Sequence, residues 1–164
     1  MTAQPRPDRR PIVVAAIAAV LVATTGGLLT EIGPWYFGLA KPPWQPPDWA
    51  FGPAWTVIFA LCAVAGALAW REARTPAARG LLVGSFAANA VLNVTWSYLF
   101  FTMRRPDLAL AEVALLWLSV LALIVIAGRI VPRAGWLLVP YLAWVSFAAF
   151  LNYTIVRLNP GIGG

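Results

Sequence analysis

Five long apolar runs separated by short polar breaks set the pattern of this chain. Residues 12–30, 51–70, 80–103, 108–127 and 135–156 each come close to the ~20 apolar residues that carry a helix across a bilayer. Charged residues collect in the breaks. The pattern predicts an all-α membrane protein, a five-transmembrane-helix bundle over residues 12–157. Residues 1–11, polar and proline-containing, and the glycine-rich residues 158–164 are expected as flexible tails. Pro11 stands where a helix starts. Short connections favour antiparallel neighbours. Arg9 and Arg10 before the first run give it the flank of a secretory leader, but the run is too long and no small-residue cleavage site follows. No internal repeat is visible.

The exception among the connections is residues 31–50. From Glu31 to Trp55 the chain carries Trp35, Trp44, Trp49 and Trp55 among Pro34, Pro42, Pro43, Pro46, Pro47 and Pro53, with Trp70 just beyond the next run. Indole rings at this density suit a membrane interface, where one edge is wet and the rest is not. The prolines predict a stiff, extended loop rather than helix. Such a loop can also cover a cavity, since it brings ring surface at little ordering entropy.

Composition narrows the choice. The chain is 61% apolar and 11% charged, against about 25% charged in soluble domains. The net charge of +6 comes from single basic residues at segment ends, not the clustered basic face that nucleic acid requires, so nucleic acid is not an expected partner. Arg6, Arg9, Arg10, Arg71, Arg74, Arg79, Arg129 and Arg133 fall on one side of the predicted bundle; Lys41, Arg104, Arg105 and Arg157 fall on the other. The positive-inside rule then sets the N-terminus in the cytoplasm and the aromatic loop outside, in a cytoplasmic-type membrane. The composition, basic and alanine-rich, suits a bacterium.

Candidate chemistry is sparse. The chain has no histidine, which removes the commonest metal ligand and general base; no metal site and no permanently bound cofactor is expected. Cys62 is single and cannot form an internal disulfide. Of the carboxylates Asp8, Glu31, Asp48, Glu72, Asp107 and Glu112, only Glu112 lies inside a run. It either pairs with Arg104 or reaches water, or it faces a cavity mouth. Polar residues within a span normally face inward. Asn89, Asn93 and Trp96 share one face of the third run; Trp144, Phe147, Ala148 and Leu151 share one face of the fifth, with Asn152 beside them. Large aromatics with a few hydrogen-bonding groups suit helix-to-helix packing, and suit a small-molecule pocket too. Gly80, Gly84 and Ala88 form a small-residue stripe turned away from the Asn face, either a homodimer seam or packing within the chain. Leu151, Tyr153 and Arg157 match a loose sterol-contact pattern, and also read as interfacial anchors.

The ordered segments Trp35-Tyr36, Leu39 to Thr56, Leu92 to Phe101 and Pro140 to Tyr153 resemble the TspO/MBR family, the tryptophan-rich sensory proteins and the translocator or peripheral benzodiazepine receptor. The resemblance implies a five-helix bundle, often dimeric, with a cavity under the first loop that binds porphyrins and, in animal members, sterols and benzodiazepine-type drugs. It implies pocket roles for Trp49, Asn93, Trp96, Trp144, Ala148 and Leu151. It also implies a possible light-driven porphyrin breakdown through Trp49 and Trp144. The expected ligand is then protoporphyrin IX or haem, or another flat apolar molecule, alongside membrane lipid. Without histidine, haem iron would lack its usual axial ligand, so recognition would rest on tryptophan rings, with propionates near Lys41, Arg104 or Arg105. A tetrapyrrole-binding sensor or transporter, a photo-oxidative enzyme and a small structural subunit anchored by its aromatics are the competing functions. Transporters usually carry broken helices or inverted repeats, and neither is evident.

Overall fold

The computed structural model describes residues 8–161, and all regular structure among them is helical. Helix α1 (Arg10–Leu29) is followed by a short α2 (Pro34–Gly38), then a 3-10 turn (Asp48–Ala50) that runs into α3 (Phe51–Glu72). Helix α4 (Pro76–Ser97) continues through a wide π-type turn (Tyr98–Thr102), and α5 (Pro106–Ile130) and α6 (Pro132–Leu158) complete the chain. Five of these elements are long and apolar enough to cross a membrane. The expected tails fall in part on residues 1–7 and 162–164, outside the described residues.

Prolines begin the helices. Pro76, Pro106 and Pro132 occupy first-turn positions of α4, α5 and α6, where a missing N–H costs nothing and the fixed φ is already helical. These helices therefore start two to four residues before their apolar runs do. Thr75 adds an N-cap, its Oγ1 accepting from the Ala78 N–H at 3.1 Å. The same effect corrects the expectation of a wholly extended first loop: Pro34 starts the turn of α2, and Pro47 precedes the 3-10 turn. The C-terminal end of α4 closes at Arg104, in the left-handed region at φ 57°, which lets the Arg105 N–H reach back to the Leu99 carbonyl at 2.9 Å.

The chain runs up and down. Arg71, ending α3, donates to the Asp8 carbonyl at the start of α1. At the other end Thr102 donates to the Leu29 carbonyl, and Asn159 exchanges two 2.9 Å hydrogen bonds with the Ala40 backbone, pinning the first loop to the end of α6.

Helices α3 to α6 share the tight core. Ala65, Ala69, Leu82, Leu123, Ala127, Ala134 and Leu138 are buried together toward the α1 N-terminal end. There α5 and α6 meet backbone to backbone: a Cβ at Gly135 would stand 2.9 Å from the Gly128 Cα and 3.0 Å from the Ile124 carbonyl oxygen. Helix α1 is different. It has no buried residue and packs chiefly on α3, so a space is left between it and the rest of the bundle.

Candidate ligand cavity

That space is a cavity of about 930 Å³, large enough for a drug-sized or macrocyclic ligand. Helix α1 gives it a floor of small side chains, Ala16, Ala19, Ala23, Gly26 and Gly27. Helix α3 contributes Phe51, Trp55 and Phe59, and α4 contributes Asn93 and Trp96. From α6 come Trp144, Ala148, Leu151 and Asn152. The first loop covers one end with Tyr36, Gln45, Asp48 and Trp49.

The aromatic wall is held by ring-to-ring contacts. Trp144 meets Phe51 edge-on at 5.7 Å and Trp55 at 6.3 Å between centroids, and Trp96 stacks on Phe100 at 5.2 Å. Trp49 is 75% exposed, so it stands at the rim rather than in the wall. Trp44, also in the loop, stacks on Phe150 at 5.2 Å outside the cavity.

The polar residues divide between cavity and packing. Asn93 lines the cavity and donates to the Tyr141 hydroxyl at 3.1 Å; that hydroxyl donates to Asn89 Oδ1 at 3.2 Å, and Asn89 donates to Ser119 Oγ at 2.8 Å. Asn89 thus joins α4, α5 and α6 and does not reach the cavity, whereas Asn93 does both tasks. Asn152, with its amide turned to satisfy its neighbours, donates to the Pro106 carbonyl at 3.0 Å and accepts from the Leu110 N–H at 3.1 Å, anchoring the start of α5.

Two of the expected site residues are not on the wall. Phe147 sits against Trp44 and Trp144 at 6.1 and 5.6 Å, on the side of α6 that the loop covers. Glu112 is buried within the bundle with no partner for either carboxylate oxygen. Its pairing with Arg104 does not occur, because Arg104 lies beside Glu31 at 3.8 Å. The antiparallel register set by Asn89 and Ser119 places Trp96 level with Glu112, seven residues after Asn89 on α4 and seven before Ser119 on α5. The Trp96 Nε1 is also buried without a partner.

The loop carries its own latch. Asp48 Oδ1 accepts from the Tyr36 hydroxyl at 2.8 Å and from Gln45 Nε2 at 3.3 Å. Burial, with the Asp48 contact, holds the Tyr36 phenol well above its ordinary pKa, so it stays a neutral donor. Lys41 Nζ lies 3.5 Å over the Tyr36 ring, and Arg105 forms a two-point pair with Asp107. None of Lys41, Arg104 and Arg105 lines the cavity.

The stripe of Gly80, Gly84 and Ala88 is exposed, and a Cβ at either glycine would meet nothing within 4 Å. Packing within the chain is therefore not its role. The sterol-contact pattern splits: Leu151 is buried toward the cavity, while Tyr153 is 45% exposed and receives Arg157 Nη1 at 3.3 Å outside it.

Residues 13–158 match the model of the TspO/MBR family. The chain belongs to the TspO/MBR family. Among its relatives are the tryptophan-rich protein TspO of Chlorobaculum tepidum, 42% identical over 77% of this chain and 80% of that one. The tryptophan-rich sensory protein of Cereibacter sphaeroides is 40% identical over 84% of each. The translocator protein of Sus scrofa is 35% identical over 91% and 92%. With five apolar helices, this TspO/MBR chain is an integral membrane protein.

The sequence reading gave no site role to the α1 floor, Trp55, Phe59 or the Tyr36–Gln45–Asp48 latch. The available signal for the floor was the run of Ala and Gly on one side of α1, a helix with no polar side to mark its inward direction.

Proposed function

We propose that this protein is a membrane sensor or translocator that binds a flat tetrapyrrole, such as protoporphyrin IX or haem, in the cavity between α1 and α6. The observation that carries the reading is the cavity itself: about 930 Å³, walled by Trp55, Trp96 and Trp144, with Trp49 at its rim. Indole faces bind flat aromatic ligands by stacking, worth about 1–3 kcal/mol per ring by alanine substitution in the well-measured case of nucleic-acid bases. The names of the relatives, sensory protein and translocator protein, favour sensing or transport over a purely structural role. The membrane is a bacterial cytoplasmic one with the N-terminus inside, by the distribution of Lys and Arg. The exposed stripe on α4 is the seam of a homodimer.

The test is a titration in lipid nanodiscs. Protoporphyrin IX should quench tryptophan fluorescence saturably at one site per chain. The Trp96→Ala, Trp144→Ala double variant should bind at least tenfold more weakly; titration like the wild type would move the site elsewhere.

A second reading is light-driven porphyrin breakdown. It is favoured by the edge contact of Trp144 with Trp55, which would let an electron hole formed by an excited macrocycle pass between indoles. Illumination under oxygen separates the two: a binder returns the pigment unchanged, and an enzyme loses turnover in Trp144→Phe or Trp49→Phe.

A further inference from the structure

The two ends of the bundle treat their cations differently. At the end that carries the first loop, Arg104 lies 3.8 Å from Glu31, Arg105 lies 2.6 Å from Asp107, and Lys41 rests on the Tyr36 ring. Among the described residues these two ion pairs have no counterpart at the opposite end. There Arg71, Arg74 and Arg79 surround the α3–α4 turn, and Arg129 and Arg133 bracket the α5–α6 turn. All five are exposed. The carboxylates at this end are Asp8 and Glu72, and neither forms an ion pair; Asp8 Oδ1 accepts from the Arg10 backbone N–H instead.

Along the chain these arginines are single residues at separate segment ends, and the fold gathers them. Trp70 near the end of α3 and Ile130 and Val131 at the α5–α6 turn pack on one buried cluster with Leu82 and Ala134, so the two turns are neighbours. Arg79 is fixed in place. Its Nε donates to the Ala73 carbonyl at 3.0 Å, and its guanidinium carbon stands 4.9 Å over the Trp70 ring. Both partners are uncharged, so the positive charge is held but not neutralised. Arg71 is held in the same way, by the Asp8 carbonyl at 2.9 Å. An arginine anchored through Nε and its flat face leaves its two terminal nitrogens as a fork, the geometry that meets phosphate oxygens two at a time. Trp136, 75% exposed in the first turns of α6, is an indole of the kind that settles at headgroup depth.

We infer that the α3–α4 and α5–α6 turns form one binding surface for the phosphate headgroups of anionic phospholipids, with Arg79 as its anchor. Basic surfaces at the ends of membrane helices draw anionic lipid by charge, each arginine near the surface adding about fivefold in affinity. The occupant is lipid rather than free phosphate because the surface sits at the ends of membrane-spanning helices, where headgroups lie at high local density. This surface is separate from the cavity and does not depend on what the cavity binds.

Native mass spectrometry of the full chain, released from detergent with phosphatidylglycerol or phosphatidylcholine of the same acyl chains, tests it. Phosphatidylglycerol should be held about fivefold more tightly or better. Arg79→Gln should lower its affinity about three- to fivefold, with phosphatidylcholine unchanged. The double variant Arg129→Gln, Arg133→Gln changes exposed side chains only, so it decides the matter where Arg79→Gln disturbs its turn; it should cause a similar loss. Arg157→Gln removes one charge at the opposite end and should leave the preference intact. Inorganic phosphate at the same molar concentration should not displace the lipid. Equal retention of the two lipids, a preference that survives both variants, an equal loss in Arg157→Gln, or displacement by inorganic phosphate overturns the inference. A loss in the double variant with Arg79→Gln at wild-type affinity removes Arg79 as the anchor.

Discussion

Replacing Gly135 by alanine should weaken the bundle where α5 and α6 cross. The added Cβ would stand 2.9 Å from the Gly128 Cα and 3.0 Å from the Ile124 carbonyl oxygen. Carbon atoms pack best at about 3.5–4.0 Å, so the helices must part locally by roughly half an ångström or more. Both obstacles are backbone, and no side chain can swing aside to relieve the clash. Overpacking of this kind costs about 1–3 kcal/mol. At about 2–4 °C per kcal/mol for a chain of this size, the thermal midpoint should fall by several degrees. Thermal unfolding in detergent, followed by tryptophan fluorescence, measures it. Gly128→Ala is the matched control: its Cβ would lie 3.6 Å from the Gly135 Cα, an ordinary contact, and alanine is the better helix former by about 1 kcal/mol. It should leave the midpoint unchanged or raise it. A Gly135→Ala protein as stable as the wild type, or an equal loss in Gly128→Ala, would refute the close approach.

Three further outcomes are expected. Gly84→Leu should shift a dimer to monomer in native mass spectrometry without loss of fold, since the site is exposed with nothing within 4 Å; an unchanged mass rejects the seam. Glu112→Leu should leave thermal stability equal or higher, because it replaces a buried carboxylate that has no partner by an apolar side chain; a loss of more than about 2 kcal/mol would show that Glu112 is paired. Tyr36→Phe removes the donor to Asp48 and should speed proteolysis within residues 39–50 by severalfold while the helices stay protected; an unchanged cleavage rate means the latch does not hold the loop.

The spans were legible because a lipid-crossing helix leaves a long apolar run that nothing else explains. Their ends were less so: Pro76, Pro106 and Pro132 begin helices whose first turns are too polar to join the run. Trp96 with Asn93, and Trp144 with Ala148 and Leu151, stood out as two helical faces of rings and small or polar groups, but spacing left pocket and packing open, and the family resemblance assigned them to one pocket. The division of labour between Asn89 and Asn93 was not readable, since it depends on Tyr141 and Ser119 from two other helices. Phe147 shares the spacing of the α6 face, but the loop's Trp44 comes down beside it. The small floor on α1 carries no polarity by which to choose a direction, and the latch needs residues 36 and 48 brought together by a loop whose turns only the structure describes.

The central claim is that the cavity behind the aromatic loop is the ligand site, and a structure of the protein with bound protoporphyrin IX in nanodiscs tests it most directly. The macrocycle should lie between α1 and α6, within van der Waals contact of Trp96 and Trp144. A macrocycle bound on the lipid-facing surface, with the cavity empty, would contradict the account.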